Sequence, residues 1–181
     1  IMNLDKETGI SIMKIIPKLD AGPVMMKSKI QITKNSNFLS LSKELSLLGA
    51  DMILKSLESI ENNSENFIDQ VEREATYAKK IDKKESKIEW NTEAKNIIAK
   101  INALYPTPGS WFQYKGSRLK IIKAVEVEKE GRPGEIIDKK FTIACSKNAI
   151  QILELQKEGK KSIDVSEYLK GNILEIGFNV S

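Results

Sequence analysis

From Ser110 to Gln156 the hydrophobic residues recur at every second position, and this pattern restricts the fold more than any other feature. Such alternation predicts β-strands that each bury one face. Polar turns divide the region into five candidate strands, at Ser110–Tyr114, Arg118–Val127, Gly134–Asp138, Phe141–Ser146 and Ala149–Gln156. Five short, closely spaced strands predict a small β-barrel of the OB type. A last helix is predicted at Val165–Lys170, capped by Asp164.

Two stretches ahead of residue 110 have hydrophobic residues at helical spacing. Steps of three and four from Phe38 to Ile60 predict an amphipathic helix whose apolar stripe belongs to a core. A second helix is predicted to begin at a cap on Asn91 and to run through Leu104. Residues 64–84, between these helices, hold five acidic and five basic residues with little periodicity, which is typical of an extended linker. The sequence therefore predicts two domains, residues 1–63 and 85–181, joined by a linker at 64–84.

Residues 7–26 are predicted to form two strands joined by a tight turn, with a second strand from Val24 to Ile32. One carboxylate, that of Asp20, lies in this turn, close to Gly22. Folds often place reactive groups in a turn that a rigid scaffold supports. An aspartate near a glycine is also ordinary turn chemistry, in which the side chain bonds its own backbone. The residues alone leave both interpretations open.

The chain contains no histidine and one cysteine. A histidine-dependent catalytic set and a histidine-containing zinc site cannot form from these 181 residues alone. Cys145 lies in an apolar run, which predicts a buried structural thiol. No apolar stretch approaches the roughly 20 residues that span a bilayer. We therefore expect a cytoplasmic monomer without a metal or a membrane partner.

The positive charge of the chain is concentrated near its end. The net charge is +4, and residues 85–181 hold 16 basic and 13 acidic side chains. In this region Trp111, Phe112 and Tyr114 lie close to Arg118 and Lys120. Aromatic and basic side chains together can stack bases and bind phosphates of RNA. The alternative is a solvated strand face above core aromatics, and the residues alone favour that alternative.

The string ETGISIM at residues 7–13, followed by LDAGP at 19–23, resembles the end of the catalytic domain of folate-dependent formyltransferases. The resemblance implies an α+β chain, in which the end of a Rossmann-like α/β domain precedes the OB-like barrel. It implies that Asp20 is the carboxylate of an Asn–His–Asp catalytic set, and that Leu19 and Gly22 belong to the folate-site loop. Because only the aspartate of that set is present, we expect a C-terminal fragment that is inactive alone.

Later motifs resemble the branch of this family that acts on methionyl-tRNA. They are ATYAKKI at 75–81, IEW at 88–90 and LQKEGKK at 155–161, whereas YPTPG at 105–109 departs from the family's N-P-x-P-G. The resemblance implies 10-formyltetrahydrofolate as donor and the amino group of methionyl initiator tRNA as acceptor. The tRNA-binding candidates are Lys80, Lys83, Arg118, Lys120, Lys160 and Lys161. A sugar-nucleotide N-formyltransferase and a non-catalytic RNA-binding barrel are the alternatives.

Overall fold

The computed structural model describes all 181 residues, and they form two compact units. The first unit comprises Asp5–Lys80. The second comprises Ile81–Ser181 together with Ile1–Leu4. No helix in either unit has both the length and the apolar character that crossing a membrane requires.

The first unit is a two-stranded antiparallel sheet covered by one long helix. Strands β1 (Glu7–Met13) and β2 (Val24–Gln31) pair, and helix α1 (Phe38–Glu61) packs on them. The helix begins at Asn37, whose side chain accepts a hydrogen bond from the Ser40 N–H at 2.9 Å. The Ser40 hydroxyl oxygen accepts from the Asn37 N–H at 3.0 Å, which completes a capping box. The helix packs on the two strands, and a Cβ atom at its Gly49 would lie 4.0 Å from the Ile10 side chain of β1.

The second unit is a curled antiparallel sheet with two helices. Its elements are α2 (Ala94–Leu104), β3 (Ser110–Tyr114), β4 (Ser117–Val127), β5 (Thr142–Ala144), β6 (Ala149–Lys157), β7 (Ser162–Asp164) and α3 (Val165–Lys170). The strand order is β3-β4-β6-β5, and β7 pairs with β6. Helix α2 packs mainly against β4. The sheet carries both of the surface clefts described below.

Aromatic rings fill the core of the second unit. Phe112 and Phe141 meet edge to face with their centroids 6.0 Å apart, and Tyr114 meets Phe141 in the same way at 5.8 Å. Tyr168, from α3, stacks on Phe141 at 5.9 Å. Such pairs contribute beyond the area that they bury. The α3 helix is therefore anchored to the sheet through the ring of Tyr168.

Most of the predicted elements are present, with three differences. The predicted strand at Gly134–Asp138 forms only isolated bridges, Glu135 with Asn179 and Ile136 with Ile143. The predicted strand at Phe141–Ser146 begins one residue late, because Phe141 has a φ of 61° and leaves the extended region. Strand β7 was not predicted, because its three residues are all exposed and show no alternation.

Two further predictions for the second unit concern the start of α2 and the closure of the sheet into a barrel. The predicted helix cap at Asn91 is wrong, because Thr92 N–H bonds to the Glu89 carbonyl at 3.2 Å and closes a turn there. The helix starts after Glu93 instead. The strand order establishes an antiparallel sheet but not a closed barrel of the OB type.

Cys145 is 3% exposed, as its apolar surroundings predicted. Burial raises the pKa of its thiol from 9.0 to about 12, so the reactive thiolate is scarce in the folded chain. We expect iodoacetamide to leave the folded chain unmodified at mildly alkaline pH and to alkylate it fully in concentrated guanidinium. Mass spectrometry of the two samples checks this. Equal rates of modification would contradict a buried thiol.

Candidate functional site

The loop between β1 and β2, residues 14–23, holds the predicted catalytic carboxylate. The Lys14 N–H donates to the Pro23 carbonyl at 2.9 Å and closes the loop at its base. A Cβ atom at position 22 would lie 1.7 Å from the Lys14 carbonyl oxygen, so only glycine fits there. Asp20 has a φ of 52°, a region that aspartate enters more readily than most residues. The fold of this loop thus requires Gly22 for its own backbone packing.

Gln70, which lies outside residues 14–23, holds this loop through side-chain hydrogen bonds. Its side-chain Nε2 donates to the Asp20 carbonyl at 3.0 Å and to the Gly22 carbonyl at 2.7 Å. The segment before it is attached to β2, because Ile68 and Val24 exchange backbone hydrogen bonds at 2.8 and 2.9 Å. Sequence reasoning missed Gln70, since it lies in a polar stretch without periodicity and outside every motif quoted above. Its amide thus bonds to the backbone on both sides of Ala21, next to Asp20.

Replacing Gln70 by glutamate is expected to loosen this loop. The carboxylate is close in size to the amide, but it cannot donate to the Asp20 and Gly22 carbonyls. Losing such bonds costs about 1 kcal/mol, which raises local opening about fivefold. Hydrogen-exchange mass spectrometry of peptides spanning 14–23 measures the change. The same substitution at Gln31, an exposed residue at the end of β2, is the control and should leave that loop unchanged. Equal exchange in the two variants would contradict the role of Gln70.

Among the side chains that the loop exposes, one is a carboxylate and two are almost fully exposed apolar groups. Asp20 is exposed, and Leu19 and Ile15 are 87% and 92% exposed. Lys18 forms an ion pair with Glu72. The hydrogen bond and the charge of Glu72 raise the pKa of Lys18, and Lys18 lowers the pKa of Glu72. Lys18 therefore stays protonated, and Asp20 is the residue of this loop that can accept a proton or a hydrogen bond.

In the second unit, four of the predicted binding residues lie together on two neighbouring clefts. A cleft of about 320 Å³ lies beside β4 and β6, and its basic side chains are those of Arg118, Lys120, Lys157 and Lys160. A cleft of about 260 Å³ lies beside α3, and its basic side chains are those of Lys157, Lys160 and Lys161. The clefts share Lys157 and Lys160, so the five cations form one continuous basic surface around the turn between β6 and β7.

Two cations of this basic surface are held by their neighbours. The Arg118 guanidinium lies 4.1 Å from the centroid of the Trp111 ring, a cation–π contact worth about 0.5–1 kcal/mol at an exposed site. The stem of Lys120 crosses the backbone at Gly109, where a Cβ atom would lie 2.6 Å from the Lys120 Cδ. Both residues lie on the same face of the sheet as Trp111 of β3, because Lys120 pairs with Trp111 and Arg118 is two residues before it on β4. Their charges are therefore positioned before any ligand arrives.

The aromatic residues near Arg118 do not form a stacking platform. Phe112 and Tyr114 are 0% and 5% exposed and belong to the core, as the alternative interpretation predicted. The Trp111 indole nitrogen is buried as well, and the ring supports Arg118. The basic surface is thus suited to phosphate binding, since its aromatic rings are not free to stack on bases.

The remaining predicted residues lie elsewhere. Lys83 begins a short 3-10 turn, Lys83–Ser86, that Asp82 caps through the Lys84 N–H at 2.9 Å. It lines neither cleft. Lys80 is an exposed residue at the end of the first unit. Sequence reasoning missed Lys157, which lies inside the LQKEGKK motif but has no counterpart among the motif letters that carried the resemblance. No three acidic or thiol side chains are grouped so that they could hold a metal ion.

Comparison with known proteins gives consistent matches along the chain. Residues 80–172 match the family model described as the formyl transferase C-terminal domain. The methionyl-tRNA formyltransferase of Pelagibacter ubique is 42% identical over 182 residues, which cover 100% of this chain and 59% of that protein. The methionyl-tRNA formyltransferase of Bradyrhizobium diazoefficiens is 36% identical over 181 residues, 98% of this chain and 58% of that protein. The chain thus spans less than two thirds of the length of the curated relatives it matches.

Among solved structures, HypX from Aquifex aeolicus in complex with tetrahydrofolic acid has a TM-score of 0.70 at 19% sequence identity. The match covers 93% of this chain and 31% of that chain. At this identity the likeness concerns the fold. It extends over both units.

Proposed function

The chain belongs to the formyltransferase family, and from that premise we propose that it is part of a methionyl-tRNA formyltransferase. The proposed reaction transfers a formyl group from 10-formyltetrahydrofolate to the amino group of methionyl initiator tRNA, in the cytoplasm. The observation that carries the proposal is the 42% identity to the Pelagibacter ubique methionyl-tRNA formyltransferase over the whole chain. Because these 181 residues include no histidine, the chain alone is proposed to be inactive.

In this proposal the loop at residues 14–23 contributes to the catalytic centre. The folate supplies the formyl carbon that the amine of the acceptor attacks. The Asp20 carboxylate accepts a hydrogen bond from a proton-transferring group of the protein outside these 181 residues and keeps that group oriented and charged. The exposure of Asp20 and the hydrogen bonds of Gln70 to its loop support this role.

The same proposal places the folate beside this loop. Leu19 and Ile15 are almost fully exposed and are free to pack against a flat ring. Gly22 packs against the Lys14 carbonyl, so the backbone near Asp20 carries no side chain at that position. The relative from Aquifex aeolicus was solved with tetrahydrofolic acid bound. We assign Leu19 and Gly22 to the donor side of the proposed site on these grounds.

The second unit is proposed to bind the tRNA. Its two adjoining clefts carry the four candidate cations Arg118, Lys120, Lys160 and Lys161, and such a group of cations can neutralise several phosphates of a nucleic acid. Lys80 and Lys83 are proposed as further contacts in the linker. The OB-like barrel is proposed as the scaffold. Two observations support it. A bridge from Ile136 to Ile143 extends the sheet beyond β5, and the Ser181 N–H donates to the Gln113 carbonyl at 3.2 Å.

A binding assay with the chain itself tests the tRNA part of the proposal. Initiator tRNA is titrated with the chain over a series of salt concentrations in filter-binding experiments. We expect binding that weakens steeply as salt rises, because Lys and Arg displace counterions from the phosphates. A dTDP-linked amino sugar, titrated by calorimetry, should give no heat of binding. Binding of the sugar nucleotide without binding of the tRNA would favour the sugar N-formyltransferase alternative and contradict the proposal.

A further inference from the structure

Lys157, the last residue of β6, is a cation that the motifs did not mark and that the fold holds in place. Its ammonium nitrogen lies 5.0 Å from the centroid of the Tyr168 ring and donates to the Asn172 Oδ1 at 3.3 Å. The Tyr168 ring is itself fixed by stacking on Phe141. The Asn172 amide is oriented by the hydrogen bond of its Nδ2 to the Tyr168 carbonyl at 2.8 Å. A lysine ammonium has three donors, so donors remain for a ligand.

Two hydrogen bonds close the turn that follows Lys157. The Lys160 N–H donates to the Lys157 carbonyl at 3.1 Å, and the Gln156 Nε2 donates to the Lys160 carbonyl at 2.7 Å. Gly159 permits the turn, with a φ of 69°. Lys157 lies opposite Leu119 in the sheet, whereas Gln156 lies opposite Lys120. Successive residues of a strand face opposite sides of a sheet. Lys157 therefore lies on the α3 side of the sheet, and Lys120 lies on the other side.

Each cleft has one acidic residue against three or more cations. Glu167 lines the cleft on the α3 side, but its carboxylate bonds to the Lys170 ammonium at 2.6 Å. Glu158 lines only the cleft on the other side. The cleft beside α3 therefore keeps three cations, Lys157, Lys160 and Lys161, around an amide. Several point donors around one small space suit a phosphate group.

We propose that Lys157 binds a backbone phosphate in the cleft beside α3, so that an RNA strand crosses the turn between β6 and β7 and is held on both sides. This inference rests on the proposed function, because it specifies how the second unit binds its tRNA. On the other side of the turn the strand meets Arg118 and Lys120. Lys157 loses less conformational freedom on binding than a mobile surface lysine, because Tyr168 and Asn172 already hold it.

The test compares Lys157→Gln with Lys139→Gln in the same chain, using initiator tRNA over a salt series. Lys139 is an exposed lysine that lines neither cleft, so its substitution removes the same charge elsewhere. We expect Lys157→Gln to weaken binding about three- to tenfold near physiological salt. We also expect it to reduce the slope of log affinity against log salt by about 0.7 to 0.9, the value of one phosphate contact. Lys157→Arg should retain the slope.

A second variant keeps the proposal testable if Lys157→Gln disturbs the fold. Asn172→Asp leaves the lysine in place and sets a carboxylate against its ammonium, which should cause the same loss of slope. Circular dichroism and thermal unfolding verify that each variant is folded. If the unaltered chain binds tRNA and both variants keep its slope, this inference is wrong while the proposed function stands. If the unaltered chain binds no tRNA, both are wrong.

Discussion

Changing Asp20 to asparagine in an active enzyme is expected to lower kcat for formyl transfer about a thousandfold or more. Asparagine has the same shape and tolerates the same backbone angles, but it carries no charge and cannot hold a protonated partner. Loss of the carboxylate from a proton-transferring set typically has effects of this size. The active enzyme for this test is the chain joined to the part of the Pelagibacter ubique relative that it does not match. Single-turnover formylation of methionyl-tRNA measures the rate of the chemical step.

Asp5→Asn is the matched control for this experiment. Asp5 is an exposed aspartate of the same unit and lies outside the loop at residues 14–23. The rate should be unchanged in this variant, and both variants should unfold at the temperature of the unaltered protein. A rate within about tenfold of normal for Asp20→Asn would refute the catalytic role of this carboxylate.

Neutralising four cations of the basic surface is expected to remove most of the tRNA affinity of the second unit. The variant combines Arg118→Gln, Lys120→Gln, Lys160→Gln and Lys161→Gln. Each phosphate contact contributes about 0.7 to 0.9 to the salt slope, so the slope should fall by about 3 if all four residues bind phosphates. The affinity near physiological salt should fall by a factor of about a hundred or more. Filter binding with initiator tRNA gives both quantities.

A control with the same change of net charge separates a binding surface from general attraction. Arg132, Lys139, Lys140 and Lys147 are exposed residues of the second unit that line neither cleft. Their replacement by glutamine also removes one arginine and three lysines. We expect the salt slope to change by less than about 1 in this control. Equal losses in the two variants would show that the tRNA responds to net charge alone.

The strands and helices could largely be predicted from the sequence, because each one buries one face. Helix α1 and strands β3, β4 and β6 carry their apolar residues at regular spacing, and their observed bounds agree with the predicted ones to within a residue or two. Strand β7 could not be predicted, because its stability comes from its pairing with β6 and not from burial. The segment at Gly134–Asp138, by contrast, was predicted as a strand and does bury Ile136, but it forms only isolated bridges at Glu135 and Ile136.

Site residues that belong to sequence motifs could be predicted. Site residues whose role depends on tertiary contacts could not. Asp20 stands in a recognisable string, but Gln70 lies 50 residues further along the chain and reaches the loop only through tertiary structure. Lys157 is one of many lysines in the sequence. What distinguishes it is the ring of Tyr168 and the amide of Asn172, which the fold brings beside it. The spacing of residues along the chain does not indicate such contacts.

Formylation of methionyl initiator tRNA by the joined enzyme tests the central claim most directly. The joined enzyme, supplied with 10-formyltetrahydrofolate, should formylate the tRNA-bound methionine, whereas the 181-residue chain alone should not. The product is measured as formylmethionine hydrolysed from the tRNA. A folded joined enzyme that leaves methionyl-tRNA unmodified, or that formylates an amino sugar nucleotide in its place, would contradict the account.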